Sequence, residues 1–245
     1  MSTTAVVKKP KSIELLFAAV YSSETNSLSF LHSQLQINSE KLGVLLPNQY
    51  LPIAERSRQC CQLSQMAIEK LIESINYFFK RGLEFSFASV YISPKFFLQD
   101  DFLHILTSAL FENQIPPSAV CIELPVDVLY KYEEFEPLIK KIKSDGFHFL
   151  LNGFGDSYCP VLKLADTDFD YVMLSPDVCD FSADEIRRKN AQSVISYINS
   201  MNMIPVATNI TSKTVQDELF EMSCYLTTGK LVGNYVRPRG LRINY

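Results

Sequence analysis

The residues best placed to do chemistry follow the end of a short apolar run. The stretch 150–156 reads LLNGFGD, so the run passes directly into Asn152, Gly153, Phe154 and Gly155. A strand that ends in this way usually presents side chains to a binding face, where carboxylates bind metal ions or transfer protons. Here the strand end carries an amide and a glycine, and the acid that such chemistry needs is missing from it.

Other familiar reactive arrangements do not occur in the sequence. The six cysteines form no C-x-x-C pair and have no histidine at metal-ligand spacing, which suits reduced thiols in a cytoplasmic protein. There is no readable Ser-His-Asp arrangement, G-x-S-x-G, P-loop or G-x-G-x-x-G motif. The sequence alone therefore indicates no familiar nucleophile, metal site or cofactor site.

An acidic concentration extends from residue 166 to residue 184. It lacks the spacing of a calcium loop, so a solvated rim is favoured over a docking surface for a basic partner. Three aromatic residues beside glutamates, Tyr130, Tyr132 and Phe135, suggest a protein interface, although such a stripe more often belongs half to the core. The acidic residues are Asp166, Asp168, Asp170, Asp177, Asp180 and Asp184.

Length and composition indicate one globular domain. The chain has 245 residues, of which 47% are apolar, enough for a large core. A net charge of −4 without a basic stripe argues against nucleic-acid binding. No apolar segment is long enough for a signal peptide or a membrane span. We expect a flexible tail at 1–12, a single domain at 13–245, and a cytoplasmic location.

The spacing of apolar runs predicts an α/β barrel. From residue 84 onward, short apolar runs alternate with amphipathic stretches, as parallel strands covered by helices do. The runs 13–21 and 28–37 leave no room for a helix between them, which predicts an antiparallel hairpin. About eight strands favour a modified (β/α)8 TIM-type barrel with an antiparallel N-terminal strand over an open doubly wound sheet. The later runs are 85–92, 119–124, 147–151, 170–174, 203–207 and 224–226.

Helix signals lie between these runs. Residues 49–81 predict one long helix or two consecutive helices. Residues 132–145 predict a helix ended by Gly146, because acids come early and lysines late. Ser182 and Glu185 have the spacing of a capping box and predict the start of another helix.

Six segments, in order, resemble the EAL domains, the cyclic-di-GMP phosphodiesterases. LPNQYLPIAE (46–55) is similar to their segment ending in F-I-x-x-A-E, and CIELPVDVL (121–129) to their I-E-L-T-E strand. The stretch FLLNGFGDSYCPVLKLADTDFDYVML (149–174) resembles A-L-D-D-F-G-T-G-Y-S-S-L…K-I-D. The other segments are SVYISPKFF (89–97), PVATNITSK (205–213) and CYLTTGKLVGNYVRP (224–238). Order and spacing hold over about residues 13–238 and imply the EAL type of barrel.

The resemblance also implies that most catalytic positions carry other side chains. EAL hydrolysis resembles two-metal phosphodiester cleavage, in which several carboxylates hold Mg²⁺ or Mn²⁺. Glu123 matches a metal-ligand position, and we favour a carboxylate satisfied by neighbouring groups over a relic ligand. His32 falls at the signature Glu, in a strand whose register can slip. The other positions are Gln36 for the motif Arg, Tyr91 for the metal-binding Asn, Asn152 and Gly153 for the Asp pair, Met173 and Ser175 for the general-base Lys and the Asp after it, Thr208 and Thr211 for two loop glutamates, and Thr228 for the ligand-binding Gln.

These substitutions predict a catalytically inactive, EAL-like regulator. We expect no catalytic residue, no metal and no cofactor. The favoured function is control of a transcription or signalling factor in bacterial motility or biofilm formation through a protein partner, with a homodimer as an option. Cyclic-di-GMP, nucleic acid and membranes are not expected as partners. Two alternatives stay open, a sensor that binds cyclic-di-GMP without hydrolysis and a weak cyclic-di-GMP phosphodiesterase.

Overall fold

A sheet that closes on itself defines the fold. The computed structural model describes residues 12–156, 158–181 and 184–242. In it, β1 (Ser12–Ser22) pairs antiparallel with β2 (Ser27–Ser39) along its whole length and, at its end, with β9 (Leu226–Thr227). The barrel continues through the parallel strands β4 (Ala88–Tyr91), β5 (Val120–Pro125), β6 (His148–Phe154), β7 (Tyr171–Leu174) and β8 (Ile204–Ala207). The predicted TIM-type barrel with an antiparallel N-terminal strand is therefore confirmed, and each later apolar run overlaps one strand.

Helices cover the outside of the barrel. The predicted stretch 49–81 forms two consecutive helices, α1 (Pro47–Ala54) and α2 (Gln59–Lys80). The helix predicted at 132–145 is α5 (Tyr132–Ser144), followed by Gly146 in the left-handed region at φ 96°. The other helices are α3 (Pro94–Phe97), α4 (Phe102–Glu112), α6 (Pro176–Cys179), α7 (Glu185–Ser200) and α8 (Lys213–Glu221), with 3-10 turns at Pro117–Ala119, Val126–Lys131, Val161–Asp166 and Pro238–Gly240. No helix in these described ranges is long and apolar enough to cross a bilayer.

Three details add to the expectations. The residues Asn152–Phe154, which lie beyond the apolar run 147–151, also belong to β6, whose pairing with β7 shifts register at Gly153 (φ 86°). The side chain of Asp184 accepts the first amides of α7, whereas Ser182, the first residue of the predicted capping box, lies outside the described residues. A three-residue strand, β3 (Gly43–Leu45), pairs with the end of β2.

The predicted tail at 1–12 falls almost wholly outside the described residues. Ser12, its last residue, already belongs to β1 and is paired with Asn38.

Side chains alternate between the two faces of each strand, and those that point inward fill the barrel interior in layers. One layer, which we call the apolar floor, is formed by buried side chains from seven barrel strands and from the residue just before β4. Within it, Phe30 stacks on Phe87 with ring centroids 4.5 Å apart. Tyr171 packs against the floor. The floor residues are Val20, Phe30, Phe87, Cys121, Leu150, Met173, Val206 and Leu226.

The side chains two positions further along four of these strands form the next layer. They are His32, Ser89, Glu123 and Asn152, and they lie toward the carboxyl ends of the parallel strands. Because side chains alternate with a period of two, a polar layer above the apolar floor follows from the sequence of each strand. The helices pack against the opposite faces of the strands in a separate, larger core.

We expect Phe87→Ala to destabilise the barrel by about 3–5 kcal/mol, because it removes a stacked ring and leaves a cavity in the floor. Urea unfolding of the variant and the wild type measures this loss. The matched control is Phe111→Ala on α4, where 86% of the residue is exposed. If the two variants lose equal stability, the floor does not carry the packing energy assigned to it.

Alkaline pH should destabilise the fold partly through Tyr171. Burial, followed by the charges of Cys121 and Asp170, raises the pKa of this phenol to about 12. The unfolded phenol ionises near pH 10. The folded state therefore favours the protonated form, and its contribution is complete below about pH 10 and is lost as the pH rises toward about 12.

The measurement is the urea midpoint across that pH range for wild type and Tyr171→Phe. The variant should lose stability less steeply, and Tyr158→Phe, a change at a residue 86% exposed, should follow the wild type. Parallel curves for Tyr171→Phe and wild type would contradict the assignment.

Candidate functional site

The mouth of the barrel is built around Glu123, near the end of β5. The residue is 2% exposed. Asn152 on β6 donates its amide to Oε1 at 2.5 Å, and Ser89 on β4 donates its hydroxyl to Oε2 at 3.4 Å. His32 on β2 brings Nε2 to 2.8 Å from Oε2, a close contact without the alignment of a hydrogen bond. Groups of this chain therefore contact both carboxylate oxygens.

Tyr235, which follows β9, holds His32 from the other side. Its hydroxyl lies 2.5 Å from His32 Nδ1, and the two rings meet edge-on. Burial raises the pKa of the Tyr235 phenol, and the Glu123 carboxylate raises it further. The hydroxyl therefore stays protonated at neutral pH, and a continuous line of contacts joins Tyr235, His32, Glu123 and Asn152.

A second carboxylate at the mouth, Glu55, follows α1. It accepts the Tyr91 hydroxyl at Oε1 (3.2 Å) and the Ser93 hydroxyl at Oε2 (2.9 Å), while the Lys95 ammonium donates to its backbone carbonyl. Burial, and then the Glu55 charge, raises the pKa of Tyr91. Glu55 is therefore also satisfied by the chain, through partners different from those of Glu123.

The structure brings three of the predicted site residues together, His32, Glu123 and Asn152. Tyr91 is the pairing partner of Glu123 in the strand register, but its hydroxyl is directed to Glu55. Gly153 contributes a backbone irregularity to β6.

The other predicted positions are used internally or lie apart. Gln36 donates its side-chain amide to Asn38, Thr208 donates to the carbonyl of Leu174, and Thr228 donates to the carbonyl of Ala19. Met173 belongs to the apolar floor, Ser175 is buried immediately before α6, and Thr211 is exposed.

Sequence reasoning missed Glu55, Ser89 and Tyr235. Glu55 ends the segment 46–55, one of those that carry the family resemblance, and Ser89 shares a strand face with Tyr91. Both residues could therefore have been identified as site candidates from the sequence. Tyr235 meets His32 from 203 positions away along the chain, and no local pattern indicates that contact.

Four aspartates of the acidic stretch contact two different basic side chains. Lys143 pairs with Asp168 and Asp170 at 2.9 and 2.8 Å, whereas Arg187 lies 3.5 Å from Asp180 and 3.9 Å from Asp184. Of the three aromatic residues, Tyr132 and Phe135 are buried in the core and Tyr130 is exposed. The core interpretation of that stripe therefore holds for two of its three members.

The donor set does not fit the divalent metals that the EAL resemblance implies. Hard cations need several anionic oxygens. Within the described ranges, no three His, Cys, Asp or Glu side chains are grouped so that they could share a metal ion. Around Glu123 the neighbouring groups are an amide, an imidazole and hydroxyls, so we derive no hydrolytic step through a metal.

Comparison with known proteins gives the family and the fold. The EAL domain family model matches residues 4–235. Similar solved structures include PaMucR phosphodiesterase in complex with cyclic-di-GMP, with a TM-score of 0.85, 15% identity and 94% of each chain covered. The FimX EAL domain of Pseudomonas aeruginosa bound to cyclic-di-GMP has a TM-score of 0.81 at 15% identity, covering 91% of this chain and 90% of that chain.

The Xanthomonas citri FimX EAL domain in complex with cyclic-di-GMP has a TM-score of 0.81 at 13% identity and covers 95% of this chain and 91% of that chain. A search of curated protein sequences finds no match. Identities this low establish likeness of fold alone.

These findings correct the expectation about partners. The sequence predicts a protein partner and no cyclic-di-GMP, and this prediction is wrong, because domains of this same fold hold the cyclic dinucleotide itself and no comparison points to a protein partner. Side chains at single positions such as Gln36 and Thr228 do not describe a whole binding face. The family match spans most of the chain, and the chain belongs to the EAL domain family.

Proposed function

We propose that this protein is a non-hydrolytic EAL domain that binds cyclic-di-GMP. The absence of hydrolysis is supported by the contacts of Glu123, whose two carboxylate oxygens are contacted by Asn152 and His32. A carboxylate held in this way must break its own contacts before it can join a metal cluster.

The residues around Glu123 also argue against turnover. A general base near the reacting phosphate must be able to take up a proton within hydrogen-bond reach. The position that the resemblance assigns to this base is Met173, which has no such group and is buried in the apolar floor. The phenols of Tyr91 and Tyr235 stay protonated because burial raises their pKa values.

Binding is supported by the charge at the mouth end of the barrel. Lys95, Lys213 and Lys230 follow the carboxyl ends of β4, β8 and β9, and all three are exposed. Lys213 is paired with Asp217, and Lys95 donates to the Glu55 carbonyl. Ligands of barrels of this type bind at that end. Exposed ammonium groups attract phosphates, and a dianionic cyclic dinucleotide fits this pattern without a metal ion. Known members of the same fold bind this ligand, as the FimX domain does.

The test is calorimetric titration of the purified chain with cyclic-di-GMP, once with a chelator and once with Mn²⁺. We expect equal binding in both conditions and no linear dinucleotide when the mixtures are separated by chromatography. Linear product would overturn the non-hydrolytic half of the proposal. The proposal that the chain binds cyclic-di-GMP would be overturned if titration gave no binding heat and equilibrium dialysis showed no retention of the ligand at about 1 mM. At that concentration only very weak binding escapes detection.

A charge variant tests where the ligand lies. Lys230→Ala should weaken binding by about five-fold, the effect of one exposed ionic contact. The matched control is Lys80→Ala at the end of α2, an exposed lysine at the opposite end of the barrel, which should bind like the wild type. Equal losses for both variants would show a general charge effect and contradict binding at the mouth.

A further inference from the structure

We propose that the His32 imidazole compensates the Glu123 carboxylate in place of a divalent cation, so that the barrel mouth is complete without metal. The inference begins from the mismatch between the donor set and the metals of the family. It does not depend on whether cyclic-di-GMP binds.

Burial gives the first argument. A carboxylate that is 2% exposed is retained only where cations or hydrogen-bond donors compensate it. Across the described ranges, the basic side chain in contact with Glu123 is His32, at 2.8 Å. Asn152 and Ser89 add neutral donors. Of these three partners, His32 is the one whose side chain can carry a positive charge.

The orientation of the imidazole gives the second argument. Tyr235 contacts Nδ1 at 2.5 Å, which directs Nε2 toward Glu123, and His32 itself is buried. This is how second partners orient histidines that bind metal ions. Here the nitrogen so directed meets a carboxylate of the same chain, and the space between the two side chains is closed by direct contact.

The sequence position gives the third argument. The resemblance puts an acidic residue at position 32 in the family, and two facing carboxylates repel each other unless a cation lies between them. An imidazole at this position removes the repulsion and the need for the cation together. The histidine at position 32 and the absence of acidic metal ligands around Glu123 are then explained by the same replacement of a metal ion by an imidazole.

The test creates the carboxylate pair again and uses Mn²⁺ alone as the probe. In His32→Glu, two carboxylates and the Asn152 amide would face one another, so thermal stability without metal should fall below that of the wild type. Addition of millimolar MnCl₂ should then raise the midpoint of this variant by about 3 °C, as a ligand that binds only the folded state does. The wild type should not respond.

Two control variants separate the causes. His32→Gln removes the imidazole without adding a charge and should not respond to Mn²⁺. His104→Glu adds the same charge at an exposed position of α4 and should not respond either. A wild-type response equal to that of His32→Glu, or a folded His32→Glu without a response, would overturn the proposal.

A double-mutant cycle keeps the proposal testable if His32→Glu does not fold. Because His32 is needed only while Glu123 is charged, the loss in melting temperature for His32→Gln should shrink clearly in a Glu123→Gln background. Losses that simply add would overturn the proposal. Neither measurement contains a dinucleotide, so failure here is distinct from failure of the binding proposal.

Discussion

A carboxylate buried at the end of a barrel strand must be compensated from within the protein, and the arrangement of the mouth follows from this constraint. Glu123 draws contacts from β2, β4 and β6, and thereby fixes side chains that the chain delivers from separate strands. Compensation by imidazole, amide and hydroxyl groups is directional, whereas compensation by a metal ion would also need further acids. The chemistry available to the site is decided by which of these two solutions the sequence provides.

Much of the fold could be predicted because its signals are local. Short runs apolar on both faces indicated the parallel strands, and the lack of room for a helix between residues 21 and 28 indicated the hairpin of β1 and β2. The extent of β6 was not predictable, because its cause is not local. Asn152–Phe154 lie beyond the apolar run 147–151, but pairing with β5 and β7 extends β6 through them and leaves the irregularity at Gly153. Three-residue β3 has too little pattern to be recognised.

The candidate site was predictable only in part, because its contacts join distant positions. Order and spacing of family segments led to His32, Glu123 and Asn152, and the structure brings these three together. The same method could not show that Gln36, Thr208 and Thr228 bond to neighbours within the fold. Nor could it find Tyr235, since the hydroxyl that orients His32 arrives from the far end of the chain. Single substitutions were therefore a poor guide to ligands.

The apolar floor has a consequence for solvent access to the barrel interior. Phe30, Phe87 and Val206 are fully buried and seal the interior beneath the Glu123 layer. The floor therefore separates the Glu123 layer from the amino ends of the parallel strands. Solvent could exchange with Glu123 from that side only if the packed floor opened, so water at the carboxylate is coupled to the stability of the floor itself.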